Sequence, residues 1–359
     1  MRALLADKSF AATLGACVLA ILLLAMFGGA GPLTPYVVNA IGQLAAFAIL
    51  AVSLDLIWGY LGILSLGHGL FFAIGGYVAA MHLLKHSYEV TSVVPDFMQF
   101  MGWREFPLYW AGLEHAPYAL VLGLGLAALV AFVFGYVSFR SKVGGVYFAI
   151  ISQALVYVAM LLMFRNDTGF GGNNGMTGFS VVFGWPMGAP GTLLGLALAS
   201  LVALVIVLLG CRLLVTSRVG RLMVATRDDE VRLRSLGFGT LWLKLAVWCG
   251  SAVIAAIAGM LYVPQVGIIN PRVLAPELSI EIAVWVAVGG RGYLSGAVIG
   301  AFVVNALKFW LSTAAPEAWP FILSGLVVLV VLVFPNGLLD IAGLKLRPRW
   351  FRSTAGQVP

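Results

Sequence analysis

Long apolar runs separated by short polar breaks make up most of the chain. Runs of about 20 residues match the roughly 30 Å of hydrocarbon that a helix must cross. The two-residue alternation of a membrane barrel is absent, so helices are the only remaining way to satisfy the backbone in lipid. The pattern predicts spans at 10–27, 36–54, 61–84, 116–139, 143–164, 192–210, 245–269 and 321–339. Segments 278–290 and 293–307 flank the turn GGRGYLSG and are short for a span. They read as two tilted crossings or as a hairpin that enters and leaves on one side. The fold class is all-α: a polytopic integral membrane protein of about ten transmembrane or re-entrant helical segments. The first run is read as an uncleaved span, because it is long and no clear small-x-small site follows it. A transmembrane domain over 1–345 and a basic tail over 346–359 result, with polar loops at 85–115 and 165–190 and a charged segment at 212–244.

Composition sharpens this picture. Hydrophobic residues make up 62% and charged ones 10%, which excludes a soluble fold. The net charge of +7 belongs to topology. With the N-terminus inside, 16 of the 21 basic residues fall on the inner face, as the positive-inside rule requires, and both termini are cytoplasmic. A nucleic-acid partner is therefore not expected; membrane lipid is. Cys17, Cys211 and Cys249 lie in or beside apolar runs without paired spacing, and no metal or disulfide framework is expected. GGRG lacks the Lys-Ser/Thr of a phosphate loop, and no nucleophile elbow is present, so no catalytic residue is assigned.

Segment 212–244 holds seven of the 21 basic and three of the 14 acidic residues. Thr226 followed by Asp229 reads as a capping box. Asp228 with Arg232 and Glu230 with Arg234 are acid-before-base pairs four apart, and Gly237 supplies a stop. With Arg227, these residues predict a capped rod of roughly 15 Å over 227–236. Within the spans, Asn39, Gln43, Ser65, His68, Gln153 and Asn305 are candidates for a solute path, with helix-to-helix hydrogen bonding the competing role. His68, between Gly67 and Gly69, is either a neutral group bonded to backbone that the glycines open, or part of that path. Asp55 reads as solvated, with pairing to the charged segment as the alternative. Glu277 and Glu281 face either a basic partner or Arg272. LGILSLGHGLFFAIGGYVAA and GGRGYLSGAVIGAFVVNAL form a faint internal echo, of the kind transporters built from repeats show.

The segments GYLGILSLGHGLFFAIGGY, NDTGFGGNNGMTGF, SRVGRLMVATRDDEVRLRSLG and NPRVLAPELSIEIAVWVAVGGRGYLSGAVIGA resemble the permeases of branched-chain amino-acid and urea ABC importers, over most of the chain. GHGLFFAIGGY, FRNDTGFGGNNGMTGF and the pair Gly296-Ala297 look most like the urea branch. The resemblance implies a transport subunit without enzymatic activity or bound cofactor, in the bacterial inner membrane. It also implies a second related permease, two ATP-binding subunits that use the ATP, and a periplasmic solute-binding protein. Segment 226–237 matches the family's cytoplasmic coupling helix. The charge-poor spans favour urea or a short amide, since a zwitterionic amino acid would call for opposite charges along its route. A branched-chain amino acid is the alternative solute, and a self-sufficient facilitator of a small polar solute the alternative class.

Overall fold

The computed structural model describes residues 7–27, 34–92 and 106–314, with scattered positions between 94 and 103 and between 317 and 338. The predicted span 321–339 lies mostly, and the tail 346–359 wholly, outside the described residues. Ten α-helices run through the remainder: α1 (Lys8–Phe27), α2 (Pro35–Asp55), α3 (His68–Thr91), α4 (Ala116–Arg140), α5 (Val146–Phe164), α6 (Pro190–Thr216), α7 (Arg218–Ser235), α8 (Thr240–Val266), α9 (Pro276–Gly289) and α10 (Leu294–Ala314). Seven are long and apolar enough to cross a membrane. The chain is an all-α, multi-pass membrane protein.

Local chemistry sets the helix ends. Thr34 caps α2 by accepting from Val37 N, and Pro35 occupies the first turn, where a missing N–H costs nothing. Proline opens α4, α6 and α9 in the same way. α8 stops at Gly267, whose φ of +75° suits glycine.

α2, α3 and α8 form the centre. α2 is buried continuously from Leu44 to Asp55. α3 meets α8 with backbone against backbone: a Cβ on Gly75 would lie 2.0 Å from the Ala256 carbonyl oxygen, and one on Gly259 would lie 1.9 Å from that of Phe72. Small residues are what permit such close crossings in lipid. α1, α4, α5 and α6 pack around this centre and turn apolar side chains such as Leu19, Val121, Ile150 and Ile206 outward.

The span read over 61–84 is broken at LSLGHG. α2 runs on through a π-helical turn, Leu56–Leu61, and ends at Gly62. Residues 62–67 are non-helical, and α3 then starts at His68 and continues through Thr91, well into the loop expected at 85–115. The second half of the echo repeats the device: a glycine turn at 290–293 precedes α10.

The two short segments form an antiparallel helix pair, with Gly300 against Trp285 and Lys308 against Glu281. Before α9, Ile269 pairs with Met176 of the 165–190 loop. After α9, the turn reaches the far end of α2, where Gly292 N donates to Asp55. At 14 residues, about 21 Å, α9 is shorter than the hydrocarbon layer. The 3₁₀ turn Pro271–Leu274 precedes it and the glycine turn follows it.

Candidate functional site

The charged segment contains α7, and its construction differs from the predicted rod. Ser217 is the cap, accepting from Val219 N at 3.1 Å and Gly220 N at 3.4 Å. Thr226 lies inside the helix and donates to the Leu222 carbonyl, so it caps nothing. At Asp229 the backbone turns extended (φ −158°, ψ 91°) and the helix bends into an elbow. Asp229 Oδ1 then accepts from Arg232 N at 2.9 Å, which makes it the cap of the second limb. The expected capping box is thus displaced: its third residue is itself a cap, because the rod is two limbs. Asp228 does not reach Arg232 as its partner; it binds Arg227, while Arg232 lies 3.7 Å from Asp229. Glu230 and Arg234 pair as expected, at 2.6 Å, and Gly237 adopts φ +87° and ends the element.

Each limb is anchored differently. In the first, Arg227 Nη1 donates to the Gly59 carbonyl at 2.8 Å, reaching the π-helical turn. Gly59 in turn touches Gly292: a Cβ on Gly59 would meet Gly292 N at 2.4 Å and Asp55 Oδ1 at 2.2 Å. Asp55 is fully buried and accepts from Gly292 N at 2.8 Å. The solvated reading of Asp55 is therefore corrected; the helix break folds a backbone donor onto it. Arg291 lies over the Trp58 ring at 5.0 Å. In the second limb, Glu230 accepts from Arg234, from Thr240 Oγ1 at 2.7 Å and from Lys244 Nζ at 2.5 Å, which ties it to the start of α8. Burial works against ionising Glu230, but these hydrogen bonds and the Lys244 charge outweigh it and hold its pKa below the usual carboxylate range. Arg232, Val231, Leu236 and Phe238 stay exposed.

Of the six path candidates, the structure brings Ser65 and His68 into direct contact. Ser65 and His68 share a closed relay: Gly67 N donates to Ser65 Oγ, Ser65 meets His68 Nδ1 at 3.2 Å, and His68 Nε2 meets Ser251 Oγ at 2.7 Å. Ser251 donates to the Ser53 carbonyl, so it accepts from His68 and fixes the proton on Nε2. The imidazole is buried and engaged at both nitrogens. Asn39 Nδ2 donates to the Gln265 carbonyl at 2.8 Å, with Gln43 half-buried one turn further along α2. Gln153 is on α5 beside Ser152, whose hydroxyl accepts from Leu66 N. Asn305 is buried on α10 and donates to its own helix at Ala301. Asn39 and His68 thus bridge helices, whereas Asn305 bonds within its own.

Opposite charges gather elsewhere, at the end of α8 away from α7. Glu281 is buried, and Lys308 donates to its two carboxylate oxygens at 2.8 and 2.7 Å. They wall a cavity of about 290 Å³, with Arg272 and Glu277 also on its lining. Lys308 went unremarked in the sequence, although a lysine inside an apolar run is itself a sign of function.

Against known families, residues 36–333 match the family described as branched-chain amino acid transport system / permease component. The chain belongs to that family. It is 28% identical to the high-affinity branched-chain amino acid transport system permease protein LivM of Escherichia coli K12, over 84% of this chain and 69% of that protein. It is 22% identical to BraD, the corresponding permease protein of Pseudomonas aeruginosa, over 84% of this chain and 94% of that one. A shorter likeness, 31% over 43% of this chain and 47% of the relative, joins it to the autoinducer 2 import system permease protein LsrC of Escherichia coli O157:H7. No solved structure matches. This family member is thus an ABC importer permease, a transport subunit of the membrane.

Proposed function

We propose that this chain is one permease subunit of an ATP-driven importer of branched-chain amino acids in the bacterial inner membrane. Its partners are a second permease, two ATP-binding subunits and a periplasmic solute-binding protein; the ATP is used by the partners. The contact chain from Arg227 through Gly59 to Gly292 carries this reading. It gives the α7 elbow a rigid connection into α2 and the α9–α10 turn, as a lever driven by a docked ATPase requires. Membership in an importer family also sets aside the self-sufficient facilitator. For the solute, the support comes from LivM and BraD, both named for branched-chain amino acids. Urea, toward which the motif wording leaned, has no such support among the relatives above.

Uptake of labelled leucine by cells carrying the whole system tests this. Excess leucine or isoleucine is expected to abolish the signal and excess urea to leave it intact; the reverse pattern overturns the solute assignment. The double variant Glu230→Lys with Gly237→Pro removes the anchor of the second limb and a backbone conformation closed to proline. It should insert normally yet take up no leucine, and normal uptake would sink the coupling role.

A further inference from the structure

We propose that the cavity walled by Glu281 and Lys308 is a solute-binding site on the permease itself, and that it takes an α-amino acid in its zwitterionic form. The proposal rests on the amino-acid reading above and adds the place where the solute is held.

The cavity opens between α2, α3, α8, α9 and α10, and at about 290 Å³ it lies at the small end of ligand pockets. Its floor is aromatic. Phe47 and Phe72 are buried, and Tyr262 packs on both, with ring centroids 4.9 and 5.3 Å away. The rim is charged. Arg272 sits in the 3₁₀ turn and Glu277 one turn before Glu281 on α9; both are exposed, and among the described residues neither forms an ion pair. Asn270 fixes the turn that carries Arg272, its Oδ1 accepting from Arg272 N at 3.1 Å.

Charge balance identifies the guest. Two carboxylates and two cations line the space, so a net anion meets Glu277 and Glu281 and a net cation meets Arg272 and Lys308. Glu281 and Lys308 already neutralise each other, which leaves one guanidinium and one carboxylate at the rim. A zwitterion answers both, its carboxylate on Arg272 and its ammonium on Glu277. An aliphatic side chain then covers the aromatic floor and gains from leaving water. Urea presents no charge to the rim and no apolar surface to the floor. Opposite charges are therefore present after all, gathered on one cavity.

The purified permease complex in lipid nanodiscs, without binding protein, tests the site by calorimetry with L-leucine, 4-methylpentanoate, 3-methylbutylamine and urea. Leucine should bind saturably. The acid lacking the ammonium and the amine lacking the carboxylate should each bind about tenfold or more weakly, the loss of a charge-assisted hydrogen bond. Arg272→Gln and Glu277→Gln should weaken leucine by a similar factor; both positions are exposed, so folding is not at issue. Unchanged leucine affinity in both variants overturns the proposal, as does urea binding as well as leucine. If the complex binds no leucine while the complete system imports it, the site is wrong and the functional reading stands. If the complete system imports urea and not leucine, the functional reading fails first.

Discussion

Glu230 shows how a single side chain sets the state of α7. Its pKa is depressed by Lys244, Thr240 and Arg234, so the sign of its pH dependence follows directly. The stability it contributes is complete above the unfolded carboxylate pKa and is lost as pH falls through its lowered folded value. Amide protection across 230–244, taken relative to the intrinsic exchange rate at each pH, should therefore stay high from neutral pH down to mild acid and fall below the ordinary carboxylate range. Glu230→Gln should exchange fast at every pH; a wild-type profile that loosens as pH rises would refute the assignment. The Glu230–Arg234 pair was legible, because a helical period brings i and i+4 together whatever the surroundings. Asp55 and Lys308 were not. Their partners, Gly292 and Glu281, are supplied by tertiary folding, and no local spacing announces them.

At the scale of elements, the apolar pattern located most helices and misjudged their ends. α6 extends to Thr216 and α3 to Thr91, because polar residues are tolerated once a helix projects past hydrocarbon or packs inside the bundle. The α7 elbow was illegible for a different reason: Thr226 and Asp229 satisfy the capping-box spacing while the backbone uses Asp229 as a cap of its own. The echo segments, read as a faint likeness, each hold a glycine break before a helix, and the second meets the π-helical turn that leads into the first at the Gly59–Gly292 crossing. Gly59→Ala places a methyl on Asp55 and on the Gly292 backbone. ATP-driven uptake by this variant should drop at least about tenfold, with insertion into the membrane unchanged, since a backbone shift is needed to accept it. Full uptake by Gly59→Ala would mean that the crossing carries no motion.

For the whole molecule, the two ends of the bundle have opposite characters. One carries α7, the basic segment and the glycine turn; the other carries the small strands and the charged cavity. The positive-inside rule puts the first in the cytoplasm. Single cysteines at exposed positions check this in a background where Cys17, Cys211 and Cys249 are replaced by serine. Leu108→Cys should react with a membrane-impermeant maleimide on spheroplasts, and Phe238→Cys only after permeabilisation. The opposite labelling would invert the topology and move the cavity to the wrong side for import.

The bond from Gly292 to Asp55 spans 237 residues of sequence, and this imposes an order on biosynthesis. The ribosome makes Asp55 early, when the backbone donor that will bury it does not exist. Until the second glycine turn emerges, the end of α2 must hold its carboxylate at the water-facing edge of the bilayer. Only the arrival of residues 290–293 lets the first half of the protein close. A chain truncated before that turn therefore lacks more than its last helices: it leaves an unfinished surface on helices made long before, the kind of exposed polar defect that membrane quality control removes.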